Sequence, residues 1–238
     1  MASKKSAEQA TKPATKPAET RQVCLEGPIV IVIDPGHGDI FGKWLDGGTV
    51  YPDPPPKGGG WQEKDLALGV SKALKTALEK DASLVKAVYL TRDRDLDDMK
   101  RVRFKWRIAV AKEKEARVFI SIHLDSPSTT GGHHVIYRPG FQPALSLSLA
   151  QEINKTFKIV PVRQDAIVAD SLGVLALNDT NVKAGVLIET GFISAETDRT
   201  TIEKKPDSVA TEIAAGVHAF IKANLKALCT DTVPVDAK

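Results

Sequence analysis

The sequence predicts a single α/β domain built on a mostly parallel twisted sheet with helices on both faces. Two observations carry that prediction. Short runs dense in Val, Ile, Leu and Phe (residues 29–33, 118–122 and 185–189) hold few polar residues, as strands covered on both faces require. Longer segments between them carry apolar residues at helical spacing, and strands alternating with helices are joined by crossovers that leave neighbouring strands parallel.

Taken in order, residues 1–27 are expected to form a disordered leader. Met1 to Thr20 is rich in Ala, Lys, Thr, Pro and Glu and has no hydrophobic stretch of the signal-peptide kind. The domain is expected over 28–228, with 229–238 as a C-terminal tail. Ile29 to Ile33 is the first strand. The excursion from Gly36 to Gly60 contains Pro52, Pro54, Pro55, Pro56 and Gly58-Gly59-Gly60, a composition in which no regular element is expected. From Glu63 onward, Leu66, Leu68, Val70, Leu74 and Leu78 fall mostly on one helical face. Ala87 to Thr91 reads as a strand.

Asp95 or Asp97 can cap a helix running to about Glu115, with Met99, Val102, Trp106, Ile108 and Val110 as its apolar positions. A strand at 118–122 follows, then a loop over 126–132 and a short strand over 134–137. Leu145, Leu149, Ile153 and Phe157 mark a helix over 144–157. Residues 158–184 are mixed, with an apolar patch at Leu172 to Leu177. The strand 185–189 precedes a final helix over about 209–227. There is no internal repeat and no interior linker.

Composition narrows the function classes. The 238 residues are 42% hydrophobic, enough for a substantial core. The formal charge is +3, but residues 1–20 hold four lysines against two glutamates, so the remainder is close to balanced. That is too little clustered positive charge for a duplex-binding surface, and no nucleic-acid partner is expected. The basic stretch Lys100 to Arg107 alternates with Val102, Phe104 and Trp106, as a solvated helix face with a partly buried aromatic side would. No apolar run approaches the ~18 residues of a membrane span. Gly36-x-Gly38 after a strand suggests a dinucleotide fingerprint, but Phe41 stands where the third glycine belongs.

The chemistry concentrates at strand ends. The first strand runs into Asp34-Pro35-Gly36-His37-Gly38, and 118–122 delivers His123. In open α/β folds, ligands collect at that carboxyl edge. Catalytic zinc commonly takes three His or Asp/Glu ligands and leaves a fourth position open, a count that His37, His123 and one carboxylate would meet. Glu63 opens a helix and Glu189 ends a strand. Each has a plainer reading: a lone histidine there is usually structural, Glu63 would favour a first helical turn through the macrodipole, and Glu189 could cap or pair. His133 and His134 are spare ligands, or one lines a groove and the other is solvated. His218, inside the last helix, reads as structural. Trp44, Tyr51 and Trp61 lie in or beside the Pro/Gly excursion, placed either to stack on sugar rings or to pack the loop.

Five words occur in order: Ile-Asp-Pro-Gly-His-Gly (33–38), Glu-Lys-Asp-Leu-Ala-Leu (63–68), Leu-Thr-Arg (90–92), Phe-Ile-Ser-Ile-His (119–123) and Ile-Glu-Thr-Gly-Phe-Ile-Ser (188–194). Together they resemble the zinc-dependent N-acetylmuramoyl-L-alanine amidases, which remove stem peptides from peptidoglycan, over about residues 28–225. The resemblance implies Zn²⁺ as cofactor, His37, Glu63 and His123 as its ligands, and Glu189 as the catalytic carboxylate. It implies peptidoglycan as substrate and a place in the periplasm or extracellular envelope. Asp125, His134, Trp44 and Trp61 are the candidate substrate-binding residues.

Asp39, Leu124-Asp125 and Ala195 depart from the family's usual glycine, Ala-Asn and Asn, which bears on loop shape and hydrogen bonding around the ligands. A zinc peptidase cutting within the stem peptide and a non-catalytic wall-binding protein are the alternatives. A monomer is expected, with any activator unspecified. The interval from His123 to Glu189 has little room for a long inhibitory helix, so an open site is expected. Cys24 and Cys229 are expected at the sheet edge opposite His37, either as two unrelated thiols or as a disulfide that an oxidising envelope would let persist.

Overall fold

A computed structural model describes residues 20–24, 27–38, 46–54, 59–95, 103–127 and 130–234, the outermost strands by backbone alone. A six-stranded sheet forms the centre: β2 (Ile29–Pro35), β5 (Val85–Leu90), β6 (Val118–Asp125), β7 (His133–Tyr137), β8 (Val162–Ala169) and β9 (Ala184–Phe192), in the order β5-β2-β6-β9-β7-β8. All pairings are parallel except β7 against β9.

Strand alternation splits the core. Ile31, Ile33, Ile120, Ile122, Val186 and Ile188 pack beneath α1 (Glu63–Leu78), α3 (Pro143–Thr156) and α5 (Pro206–Cys229). Their neighbours Val32, Phe119 and Leu187 face the other way, toward α2 (Phe104–Glu113) and the 3₁₀ turn Gly173–Leu175. With both faces covered, the expected near-continuous apolar runs are what the central strands need. No helix among the described residues is long and apolar enough to cross a membrane.

Several expectations need correction. The Pro/Gly excursion does contain a regular element, because β3 (Val50–Tyr51) pairs antiparallel with β4 (Trp61–Gln62). The mixed stretch 158–184 hides β8. As an edge strand it is half-exposed, so Arg163, Gln164 and Asp165 interrupt the apolar pattern without cost. A short helix, α4 (Glu196–Lys204), precedes α5.

The α2 helix starts at Phe104 behind Arg103, not at an aspartate cap; Asp97, Met99 and Val102 lie outside the described residues. Its inward positions are Arg107 and Ala111, a polar choice that periodicity could not anticipate. The two expected tails meet: β1 (Thr20–Cys24) pairs antiparallel with β10 (Thr230–Pro234), placing Cys24 opposite Thr230. Cys229 is buried and its thiol faces Gly27 O at 3.5 Å; the Cys24 side chain is outside the described residues.

Candidate metal centre

Register assembles the site. Pro35 at the end of β2 lies beside Ile122 of β6, so the chain leaves β2 at His37 next to His123. His123 is in register with Glu189 of β9, which is in register with His134 of β7. Residues aligned across adjacent strands project from the same face, with Cβ atoms about 5 Å apart. His123, Glu189 and His134 therefore form one row along the carboxyl edge. Glu63, first residue of α1, comes down onto the near end of that row.

His37 Nε2 and His123 Nδ1 each lie 3.0 Å from Glu63 Oε1, and the imidazole centroids are 4.8 Å apart. Among the described residues, these three form the one group of His, Cys, Asp or Glu close enough to share an ion. The spare atoms are held. His37 Nδ1 donates to Asp46 Oδ1 at 2.6 Å, which leaves the Nε2 lone pair facing the centre. Glu63 Oε2 accepts from Thr49 N at 2.9 Å, and Oε1 accepts from Leu124 N at 3.2 Å. Two glycines make room: a Cβ on Gly48 (φ +67) would stand 2.6 Å from both Glu63 and His37, and one on Gly36 would strike the His123 ring at 2.5 Å.

Beneath the site lies a buried charge network. Arg107 Nη1 donates to Asp34 Oδ1 at 2.6 Å and to Pro35 O at 2.8 Å, and Nη2 donates to His37 O at 2.7 Å. Arg92 donates to Pro35 O, Gly36 O and Lys64 O. Thr91 and Ser121 donate to the two Asp34 oxygens. These bonds fix the turn in which His37 adopts the left-handed conformation (φ 58), one unfavourable to a residue with a side chain. Burial alone would raise the Asp34 pKa, but the Arg107 charge and the hydrogen bonds from Thr91 and Arg107 hold it below the usual carboxylate range.

The ionisation pattern fits a cation. Burial would lower the His37 pKa, yet its bonds to Asp46 and Glu63 push it up to about 9. Burial would raise the Glu63 pKa, and both imidazoles instead hold it far below normal. The cluster thus draws positive charge, as protons or as a metal. Donor atoms 3.0 Å apart are close to the ~3.3 Å between ligands of a tetrahedral ion with bonds of ~2.0 Å. The residues present fit a small metal ion.

Glu189 behaves differently. Its Oε2 is buried without a hydrogen-bond partner among the described residues; burial first, then the charges of Glu63 and Asp125, push its pKa up to about 8. A carboxylate poised near neutrality is suited to accept and return a proton. His134 is buried (5% exposed), contrary to the expectation that one of the tandem histidines is solvated. His133 is buried too, stacked on Phe157 and bonded to Val160 O and Asn154 Oδ1, a structural role. Asp125 pairs with Arg163 at 3.1 Å.

Trp61 is 38% exposed, and the Arg199 guanidinium lies over both its ring and that of its cross-strand partner Tyr51. Trp61 packs the loop while keeping an open edge; Trp44 lies outside the described residues. His218 meets Leu78 O, a structural contact. Sequence reasoning missed Asp46, Arg107, Arg163 and Asp198, which accepts from Gly132 N and Phe192 N. Only Asp46, beside Gly47-Gly48, had a local signal.

Residues 31–219 match the family model described as N-acetylmuramoyl-L-alanine amidase. The chain is 25% identical to N-acetylmuramoyl-L-alanine amidase AmiC of Escherichia coli O6:H1, over 90% of its own length and 58% of the relative's, so it spans little more than half of that protein. It is 26% identical to the germination-specific N-acetylmuramoyl-L-alanine amidase of Bacillus subtilis, over 80% and 79% of the two chains. The crystal structure of N-acetylmuramoyl-L-alanine amidase from Clostridium difficile 630 superposes with a TM-score of 0.67 at 30% identity, covering 83% of this chain and 98% of that one.

Proposed function

The chain belongs to the N-acetylmuramoyl-L-alanine amidase family, and we propose that it hydrolyses the amide between N-acetylmuramic acid and the L-alanine of the peptidoglycan stem peptide in a zinc-dependent reaction. One observation carries the reading: a His-Glu-His donor set stands beside Glu189, which is in register with His123 and whose buried Oε2 has no hydrogen-bond partner among the described residues. In this reading His37, Glu63 and His123 hold Zn²⁺, which when bound lowers the pKa of a water toward ~7 and polarises the scissile carbonyl. Glu189 takes the water proton on its Oε2 and hands it to the departing alanine nitrogen. Asp46 keeps the His37 tautomer. Asp125, His134, Trp61 and Trp44 serve the substrate groove. The place of action is the periplasm or the extracellular envelope, where peptidoglycan is found, and the working unit is a monomer.

The site is open in this reading. Among the described residues, no carboxylate, thiol or imidazole beyond the three joins the donor group, including any from 158–184. Mass spectrometry of muropeptides tests the reaction: products must be intact stem peptides beginning at L-alanine plus unsubstituted glycan. Cleavage within the stem would establish a peptidase instead, and binding without cleavage a wall-binding protein.

A further inference from the structure

Beyond Glu189 the row continues. Arg163 on β8 follows His134 outward, its Nη1 lying 3.3 Å from His134 Nδ1 and 3.1 Å from Asp125 Oδ2. Its guanidinium sits 5.3 Å from the centre of the Phe192 ring. Three neighbours thus fix the inner edge of a planar cation. The group lines a cleft of 590 Å³ bounded by β8, the Thr130-Gly131 segment before β7 and the Ser126-Pro127 turn, and it is the one Lys or Arg among the cleft's lining residues. Among the described residues the outer edge, Nε and Nη2, is held by Asp165 alone, at 2.9 Å on each nitrogen. Asp165 is two residues along the same strand and has a 55% exposed side chain. The pair is bidentate, but the Asp165 carboxylate stands largely in water, so a ligand carboxylate of the same geometry can take its place on that edge.

We propose that Arg163 reads a carboxylate on the peptide half of the substrate, and that Asp165 occupies the same guanidinium edge in the free protein. This rests on the amidase reading, which sets the direction. The departing nitrogen must lie at Glu189, so the peptide attached to it leads away from His37, Glu63 and His123, over His134 and into the Arg163 cleft. A planar fork matches a carboxylate in bidentate fashion, which a lysine cannot do. His134, accepting from Nη1 at its Nδ1, holds the fork and leaves Nε2–H for the peptide backbone. The muramoyl side then falls to the second cleft, of 870 Å³, that runs from Gly48 past Tyr51 to Ser194.

Isothermal calorimetry with two product-like probes tests this without turnover: L-alanyl dipeptides whose second residue carries either a free α-carboxylate or an α-carboxamide. The expected result is at least ~10-fold tighter binding of the acid, about 1.4 kcal/mol. Arg163→Gln should reduce that preference below ~2-fold, and Arg163→Lys should retain only part of it. Asp165→Asn should strengthen binding of the acid but not of the amide. Equal binding of the two probes by the native protein, no binding of either at millimolar concentration, or a preference surviving in Arg163→Gln would each overturn the proposal. Muropeptide release by the native protein is scored separately. Release without a carboxylate preference sinks the subsite and leaves the amidase; failure of release sinks the amidase reading itself.

Discussion

At the scale of single residues, the site divides its carboxylates by environment. Glu63, between two imidazoles, is held anionic, while Glu189, buried and facing other acids, is pushed up to about 8. Glu189→Gln should keep zinc bound, by atomic absorption, and lower turnover by on the order of 10² or more. The same variant has a stability signature. Between the ordinary glutamate value and about 8, the unfolded chain has released the Glu189 proton and the folded chain retains it, so stability falls as pH rises through that window. Metal-free Glu189→Gln should therefore melt at least ~2 °C above the metal-free native protein at pH 8 and lose that advantage below pH ~4.5. An unchanged difference across pH would refute the raised pKa. Asp46→Ala, which frees His37 Nδ1, should weaken zinc affinity ~10- to 100-fold in a competition titration with a chelator.

At the scale of elements, the loop after β2 is stapled from behind, and the staple is polar. Arg107 on α2 is 2% exposed and meets Asp34, Pro35 O and His37 O. Arg107→Leu leaves Asp34 as a buried anion without its main partner, and breaking a buried pair from one side costs about 3–5 kcal/mol. Urea unfolding should record that loss, together with weaker zinc binding because the His37 turn relaxes. Destabilisation below ~1 kcal/mol would show that Thr91 and Ser121 suffice to hold Asp34.

These details also mark what could be read in advance. The central strands and α1, α3 and α5 have one-sided or fully apolar patterns that survive any tertiary context. The β8 strand, half-exposed at the sheet edge, and α2, whose inward face is an arginine, break the period on which such reading depends.

For the whole molecule, the sheet order decides how the chemistry meets. Strands β2, β6 and β9 are neighbours although far apart in sequence, so His37, His123 and Glu189 arrive at one edge. With no further donor among the described residues at the triad, purified protein should cleave peptidoglycan with no partner added. Dipicolinate should abolish the activity and Zn²⁺ restore it. Activity indifferent to chelation would remove the metal from the mechanism, and dependence on a second protein would contradict the open site.

The sequence by itself determined the fold class and the core strands, whose apolar patterns are local, and its five ordered motifs singled out His37, Glu63, His123 and Glu189 through their resemblance to the family. The tertiary structure alone decided what surrounds them. It set Asp46 on His37, Arg107 under Asp34 and Arg163 beyond His134, and it buried both tandem histidines. The physical reason is range. Periodicity and turn chemistry act over a few residues, whereas a hydrogen bond from Arg107 to His37 or from Arg163 to Asp125 joins groups brought together only when the strands take their places in the sheet.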